Sequence, residues 1–302
     1  MPPSTPDDPR LGDLLGARLG EGEAARAVIV GFPCDEGVRR NGGRVGAALG
    51  PAAIRAALAR LTPDVEAPER FVELVTRTRD VGDVPVSGAL EADQRALGAV
   101  LAPHLAAGAF VVVLGGGHET AYGHFLAYAA LGWPLRVLNW DAHADVREPR
   151  DGMAHSGSPF RQALEHPSGL CERYTVAGLQ PHSVARAHLD FVRAHGAAHL
   201  RHELAAEGDV DAIVAESRPT LVSFDLDAVD RAHAPGVSAP ATGGLPVPLW
   251  LRAAYLAGRT QGVRSADVVE LCPPHDRDGA TASLAALTVW HLLRGLAARD
   301  LP

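Results

Sequence analysis

The chain has 302 residues, of which 47% are hydrophobic and 21% charged, a balance that excludes a disordered or fibrous protein. Acidic side chains outnumber basic ones 36 to 28, for a net charge of −8, which argues against a nucleic-acid partner. No apolar run reaches the ~18 residues of a membrane span.

Residues 1–10 are rich in proline and aspartate and lack the basic head and apolar stretch of a secretory signal. Residues 1–22 are expected to form a poorly structured or peripheral segment, and the whole chain, 1–302, to be one domain. The three cysteines, Cys34, Cys171 and Cys272, lie far apart with no CxxC pair, which suits a reduced, cytoplasmic protein.

In chain order the pattern predicts a strand over 27–32, then helices over 51–61 and 90–105. Pro51 suits a first helical turn, where a missing N–H costs nothing. A strand follows over 110–114, a helix over 121–131 and strands over 135–139 and 174–177. The remaining elements are a helix over 183–195, a strand over 220–224, a helix over 249–257, a strand over 266–271 and a helix over 281–297. Residues 110–114 read Phe-Val-Val-Val-Leu, apolar without alternation, as in strands buried on both faces. Such runs, alternating with helices, predict an α/β fold of three αβα layers around a central parallel sheet. Ligands of such sheets gather beyond the carboxyl ends of the strands.

Three of those ends carry similar residues. Gly115-Gly116-Gly117-His118-Glu119 follows one strand, Trp140-Asp141-Ala142-His143-Ala144-Asp145 a second, and Asp225-Leu226-Asp227 a third. In an extended chain, side chains two apart share a face, so Asp141, His143 and Asp145 would aim at one spot, as would Asp225 and Asp227. Four clustered carboxylates repel one another or take up protons. Divalent cations solve that problem, and six ligands suffice for a two-metal site with bridging carboxylates. Oxygen-rich ligation with some imidazole favours Mn²⁺ over Zn²⁺, with nickel, cobalt, iron and zinc left open. Each motif alone would read as a turn or solvated loop; three at separate buried strand ends point to a metal centre.

GGGHE, NWDAHAD and SFDLDAVD resemble the metal motifs of the ureohydrolases, the arginase–agmatinase superfamily, over residues from about Gly31 to Ala286. Within it the chain is similar to the formimidoylglutamase family, through the segments 35–44, SGSPFRQ at 156–162, APGVSAP at 234–240 and ELCP at 270–273. Cys272 stands where that family usually has asparagine. The resemblance implies an arginase-like fold and two Mn²⁺ ions per subunit. One ion would be held by His118, Asp141, Asp145 and Asp225, the other by His143, Asp141, Asp225 and Asp227, with a nucleophilic water between them. It further implies hydrolysis of N-formimidoyl-L-glutamate to L-glutamate and formamide in histidine degradation, and a homo-oligomer.

By the same analogy Asp145 would carry a proton to the leaving amine and Glu270 would hold the amidinium. The substrate's two carboxylates call for cations, and Arg147, two residues past Asp145, is the first candidate. Arg44, Asn41 and Ser156 are further substrate-binding candidates, and Arg40 a weaker one. His155 lies one residue before the position of the arginase proton-shuttling histidine, where this chain has Ser156; it reads as a loop histidine. Trp140 reads as core, Asp276 and Asp278 as part of a helix-capping loop, and His182, His188, His195, His199 and His202 as surface. Two alternatives stay open: another ureohydrolase acting on agmatine, arginine or guanidinobutyrate, and a metal-binding relative without turnover.

Overall fold

Among the described residues eight segments become strands: β1 (Ala27–Phe32), β2 (Thr78–Asp83), β3 (Phe110–Gly115), β4 (Leu135–Trp140), β5 (Cys171–Leu179), β6 (Gly196–Leu200), β7 (Thr220–Asp225) and β8 (Val263–Val269). The structure is a computed structural model that describes residue 5 and residues 7–20, 22–215 and 219–299. Every strand pairing is parallel, and the sheet runs β2-β1-β3-β8-β7-β4-β5-β6. The four central strands, β3, β8, β7 and β4, are those that precede the sequence motifs and Glu270.

The apolar run in β3 explains the layering. Val111 and Val113 pack into one core, with the helices Leu90–Ala106 and Thr120–Leu131. Val112 and Leu114 pack into the other, with Gly50–Leu58, Val247–Arg259 and Ala280–Ala297. Successive side chains of a strand point to opposite faces, so a run without polar residues is what a sheet covered on both sides requires. Each such side chain, fully buried, contributes roughly 1.5–3 kcal/mol. The three-layer expectation is borne out.

The differences from the expected elements have physical causes. β2 and β6 were not expected, and they are the two edges of the sheet. β2 is TRDVGD and mostly exposed, and β6 is GAAHL and half-buried throughout, so neither shows the apolar run of a central strand. The short helices Leu11–Leu14, Glu36–Arg40, Pro68–Thr76, Pro159–Leu164 and Glu207–Val214 also lay outside the expectations; Pro68 and Pro159 open two of them. The expected strand 266–271 stops at Val269, because Glu270 has φ 69° and left-handed backbone leaves the pleat. The helix expected over 183–195 begins at Arg186. Within 1–22, Leu11 is wholly buried and its amide donates to the Leu61 carbonyl at 2.9 Å, which ties that part of the segment to the core. Among the described residues no helix is long and apolar enough to cross a membrane.

Candidate metal centre

The strand ends bring the motif residues together as two groups. His118, Asp141, Asp145 and Asp225 offer ligand atoms within 4.8 Å of one another, and Asp141, His143 and Asp227 form a second group. His118 Nδ1 lies 3.3 Å from Asp141 Oδ2, 3.0 Å from Asp145 Oδ2 and 2.8 Å from Asp225 Oδ2. His143 Nδ1 lies 3.4 Å from Asp141 Oδ1 and 3.0 Å from Asp227 Oδ2. Ligand atoms about 3 Å apart are what an ion with bonds of about 2.1 Å would separate. Asp141 is common to both groups, one oxygen toward each. Asp225 stands only in the first; its Oδ1 accepts the Asp227 amide at 2.8 Å.

The convergence arises from turns rather than from extended pleats. The Asp141 amide still pairs with the Ala177 carbonyl of β5, but Asp141 Oδ1 accepts the His143 amide at 2.6 Å. Asp145 then takes a left-handed φ of 44°. Asp227 sits in the 3₁₀ turn Leu226–Ala228. Residues expected to share one face are thereby shared out, with His143 and Asp227 on one group and Asp145 and Asp225 on the other. The glycines before His118 act as expected: a Cβ on Gly116 would lie 2.0 Å from the Cys34 carbonyl oxygen, so only glycine lets β3's continuation pass that close to the chain beyond β1.

The cluster's own side chains are electrostatically unbalanced. Burial and the neighbouring Asp227 and Asp141 push Asp225 well above its ordinary pKa, and burial lifts Asp227 to about 6. Asp141 is also buried, yet the imidazoles of His118 and His143 beside it hold it below the usual range. Asp227 raises His143, and Asp225 with the other carboxylates raises His118 despite its burial. His118 Nδ1 and Asp227 Oδ1 are buried without a hydrogen-bond partner. Orphaned donor atoms, clustered carboxylates and spacings near 3 Å all fit divalent cations.

Above the cluster lies a cavity of about 260 Å³ lined by Asn41, Arg44, His143, Asp145, Arg147, Ser156, Asp225, Asp227, Ser238 and Glu270, among others. Glu270 Oε1 accepts the His118 amide at 2.8 Å, and burial, with Glu119 and Asp227 nearby, lifts its pKa to about 8. Arg147 Nη1 donates to Asn41 Oδ1 at 3.2 Å, and Asn41 Nδ2 donates to Ser156 Oγ at 3.1 Å. The left-handed Asp145 breaks the extended phase that was to turn Arg147 toward the ligands. It reaches the cavity instead through its amide, which donates to the Gly157 carbonyl at 2.9 Å. A Cβ on Gly157 would sit 3.2 Å from Arg147 Cδ and 3.3 Å from Asn41 Nδ2.

Other candidates are placed less directly. Arg44 lines the cavity, but its guanidinium donates to the carbonyls of Ser238, at 3.0 Å, and Val237. Arg40 is held by Glu36, Glu91 and the Ala154 carbonyl. His155 spends both ring nitrogens locally: Nδ1 accepts the Gly157 amide at 3.1 Å and Nε2 donates to the Glu148 carbonyl at 3.1 Å. It shapes the loop, as expected. Trp140 is wholly buried, Asp276 caps Ala280–Ala297 through the Thr281 and Ala282 amides, and His182, His188, His195, His199 and His202 are exposed or half-exposed. Sequence reasoning missed Asn139, whose Nδ2 donates to Asp141 Oδ2 at 2.9 Å, and Ser223, which meets His118 Nε2 at 3.0 Å. Each lies two residues before a ligand, on the same strand face, and that spacing was the available signal.

Comparisons with known proteins point to one family. The arginase family model matches residues 25–294. The chain is 42% identical to a formimidoylglutamase of Nocardia farcinica, over 90% of this chain and 87% of that protein. It is 40% identical to the Aromatoleum aromaticum formimidoylglutamase, over 90% and 84%. The crystal structure of Trypanosoma cruzi formiminoglutamase with Mn²⁺ superposes with a TM-score of 0.88 at 36% identity, covering 97% of this chain and 99% of that one.

Proposed function

The chain belongs to the arginase family, and on that premise we propose that it hydrolyses N-formimidoyl-L-glutamate to L-glutamate and formamide at a binuclear metal site. The observation that carries the reading is one residue, Asp141, common to two groups of candidate metal ligands, beneath a cavity whose lining includes Glu270 and Arg147. Relatives of this identity named formimidoylglutamase support it. Mn²⁺ is our choice of ion: the donors are carboxylate and imidazole without thiolate, and the T. cruzi relative is described with Mn²⁺. His118, Asp141, Asp145 and Asp225 would hold one ion, and Asp141, His143 and Asp227 the other. Bound there, the ions would supply Lewis-acid polarisation and lower the pKa of a water.

The residues divide the remaining work. The formimidoyl group is an amidine, cationic near neutral pH, with a planar electrophilic carbon. Glu270, buried and raised to about 8, gains from an amidinium the positive charge its surroundings lack. Water adds to the carbon, the bond from carbon to the glutamate nitrogen breaks, and the water oxygen becomes the carbonyl of formamide. The departing amine takes up a proton, which Asp145 would carry. Arg147 would grip a substrate carboxylate through its planar fork; apart from its bond to Asn41 its guanidinium N–H groups have no protein acceptor among the described residues. Asn41 and Ser156 would fix that arginine, and Arg44 would add positive charge at the entrance.

The setting we propose is cytoplasmic, with a small-molecule substrate and a homo-oligomeric enzyme. The three buried free cysteines support a reducing compartment, and the oligomer rests on the family resemblance. The test is a substrate panel on Mn²⁺-loaded protein, comparing formimidoylglutamate, agmatine, arginine and guanidinobutyrate with formamide or urea as readout. Formamide from formimidoylglutamate with kcat/KM well above the others is expected. Urea from a guanidine substrate at higher kcat/KM would overturn the substrate assignment.

A further inference from the structure

Behind the metal centre a file of polar side chains runs inward between the sheet and the helix Thr120–Leu131. His118 Nε2 meets Ser223 Oγ at 3.0 Å, and Ser223 Oγ donates to Asp267 Oδ1. Asp267 Oδ2 meets His124 Nδ1 at 2.7 Å. His124 Nε2 meets Ser265 Oγ at 2.7 Å, and Ser265 meets the Tyr128 hydroxyl at 2.6 Å. All six residues are at most 1% exposed. Ser223 and Asp267 are register partners on β7 and β8, and His124 and Tyr128 stand one turn apart on the helix.

A fully buried carboxylate at the centre of a sheet is costly unless its lone pairs are filled, and packing alone would be served by an apolar residue. The donor and acceptor assignments give the file one consistent sense. If His118 Nδ1 presents its lone pair to an ion, Nε2 carries the hydrogen and donates it to Ser223. Ser223 then has its own hydrogen for Asp267. From the other end, Tyr128 donates to Ser265, Ser265 to His124 Nε2, and His124 Nδ1–H to the second oxygen of Asp267. Donation from both ends converges on one carboxylate.

We propose that Asp267 is a positioning residue for the metal centre: through Ser223 it locks His118 in the tautomer whose Nδ1 faces the ion, and His124 holds Asp267 in place. This rests on the metal reading of His118 given above. Ser223 stands one hydrogen bond behind His118 and Asp267 two, and removing the partners that orient a ligating histidine typically changes metal affinity about 10- to 100-fold. The effect belongs to the group containing His118 and not to the one containing His143.

The test is Mn²⁺ titration of metal-stripped protein, followed by electron paramagnetic resonance and calorimetry, for the wild type, Asp267→Asn, Ser223→Ala and the double variant. Wild type should bind two ions per chain. Asp267→Asn should weaken one of them about 10- to 100-fold and leave the other unchanged. The double variant should lose no more than the worse single variant, because both act along one path. A residue that only fills the core would instead lower the metal-free melting temperature and leave Mn²⁺ affinity alone. Wild-type affinity at both sites in Asp267→Asn, or fully additive losses in the double variant, would overturn the proposal. A wild type that takes up no Mn²⁺ would refute the metal reading itself. If Asp267→Asn does not fold, Ser223→Ala decides, since it keeps the Asp267–His124 pair and breaks only the link to His118; unchanged affinity there overturns the proposal equally.

Discussion

The floor of the cavity and its rim are built on different terms. On the floor, His118, Asp141 and Asp225 are at most 2% exposed. Asp141 accepts from Asn139 and from the His143 amide, and Asp225 from the Asp227 amide. These residues leave strands paired on both sides in the middle of the sheet. On the rim, Asn41 and Arg147 are half-exposed and Arg44 is exposed, and Arg147 is tied to Asn41 by a single side-chain hydrogen bond. Rigid elements hold geometry more tightly than loops, whereas loops tolerate change. The division therefore separates the chemistry, set by the floor, from the choice of substrate, set by the rim.

The sharpest way to break that division is Asp141→Ala. Asp141 contributes one oxygen to each donor group, so its loss should abolish turnover and remove at least one metal equivalent per chain. Elemental analysis after dialysis checks this, with Arg147→Met as the rim control that keeps both ions. Two full equivalents in Asp141→Ala would mean that the groups do not depend on a shared ligand.

Glu270 stands between floor and rim, and pH sharpens its role. Its carboxyl moves from 4.5 to about 8 in the metal-free protein, chiefly through burial. A folded pKa above the unfolded one means that folding favours the protonated form. Its contribution to stability is full below about pH 4.5, falls as pH rises toward 8, and is lost above it. Glu270→Gln should therefore flatten that decline and raise metal-free stability above pH 8 by an amount on the order of a few kcal/mol. The same change leaves the amidinium unpaired, at a cost of roughly 10²- to 10³-fold in kcat/KM. Thermal melts of metal-free protein at pH 5 and pH 8.5 check the first half; equal declines in both proteins would sink it.

The same division governs what the sequence discloses. The floor is legible because its residues follow apolar runs that betray buried strands, and because carboxylates and imidazoles in that number have few structural uses. The sheet is legible at its centre and not at its edges: TRDVGD of β2 and GAAHL of β6 are extended because a neighbour's ladder holds them, which no local pattern records. The turns at 141–145 and 225–227 are opaque for a related reason. Their form depends on side chains accepting backbone amides two residues on, so the right residues converge by a route that alternation does not describe. Asp267 and His124 join a chain only when β8 and a helix are packed side by side, and spacing along the sequence carries no trace of it.

The smallest expected effect belongs to the rim. Arg147 reaches the cavity because its amide is pinned to Gly157 and its guanidinium rests on Asn41, with no bond to any metal-ligating residue. Arg147→Met should leave two ions bound and the metal-free melting temperature close to that of the wild type. What it removes is a charge-assisted, two-point contact with a substrate carboxylate, worth roughly 1.5–3 kcal/mol, or about 10- to 150-fold in kcat/KM. If the contact only binds, the loss falls on KM; if it aligns the formimidoyl carbon, kcat falls as well. Arg147→Lys should recover part of the loss, because an ammonium restores the charge without the planar fork. Steady-state kinetics on formimidoylglutamate, with metal content measured on the same preparations, separate these outcomes. Wild-type kcat and KM in Arg147→Met would move the carboxylate subsite toward Arg44, and a lost metal equivalent would show that rim and floor are coupled after all.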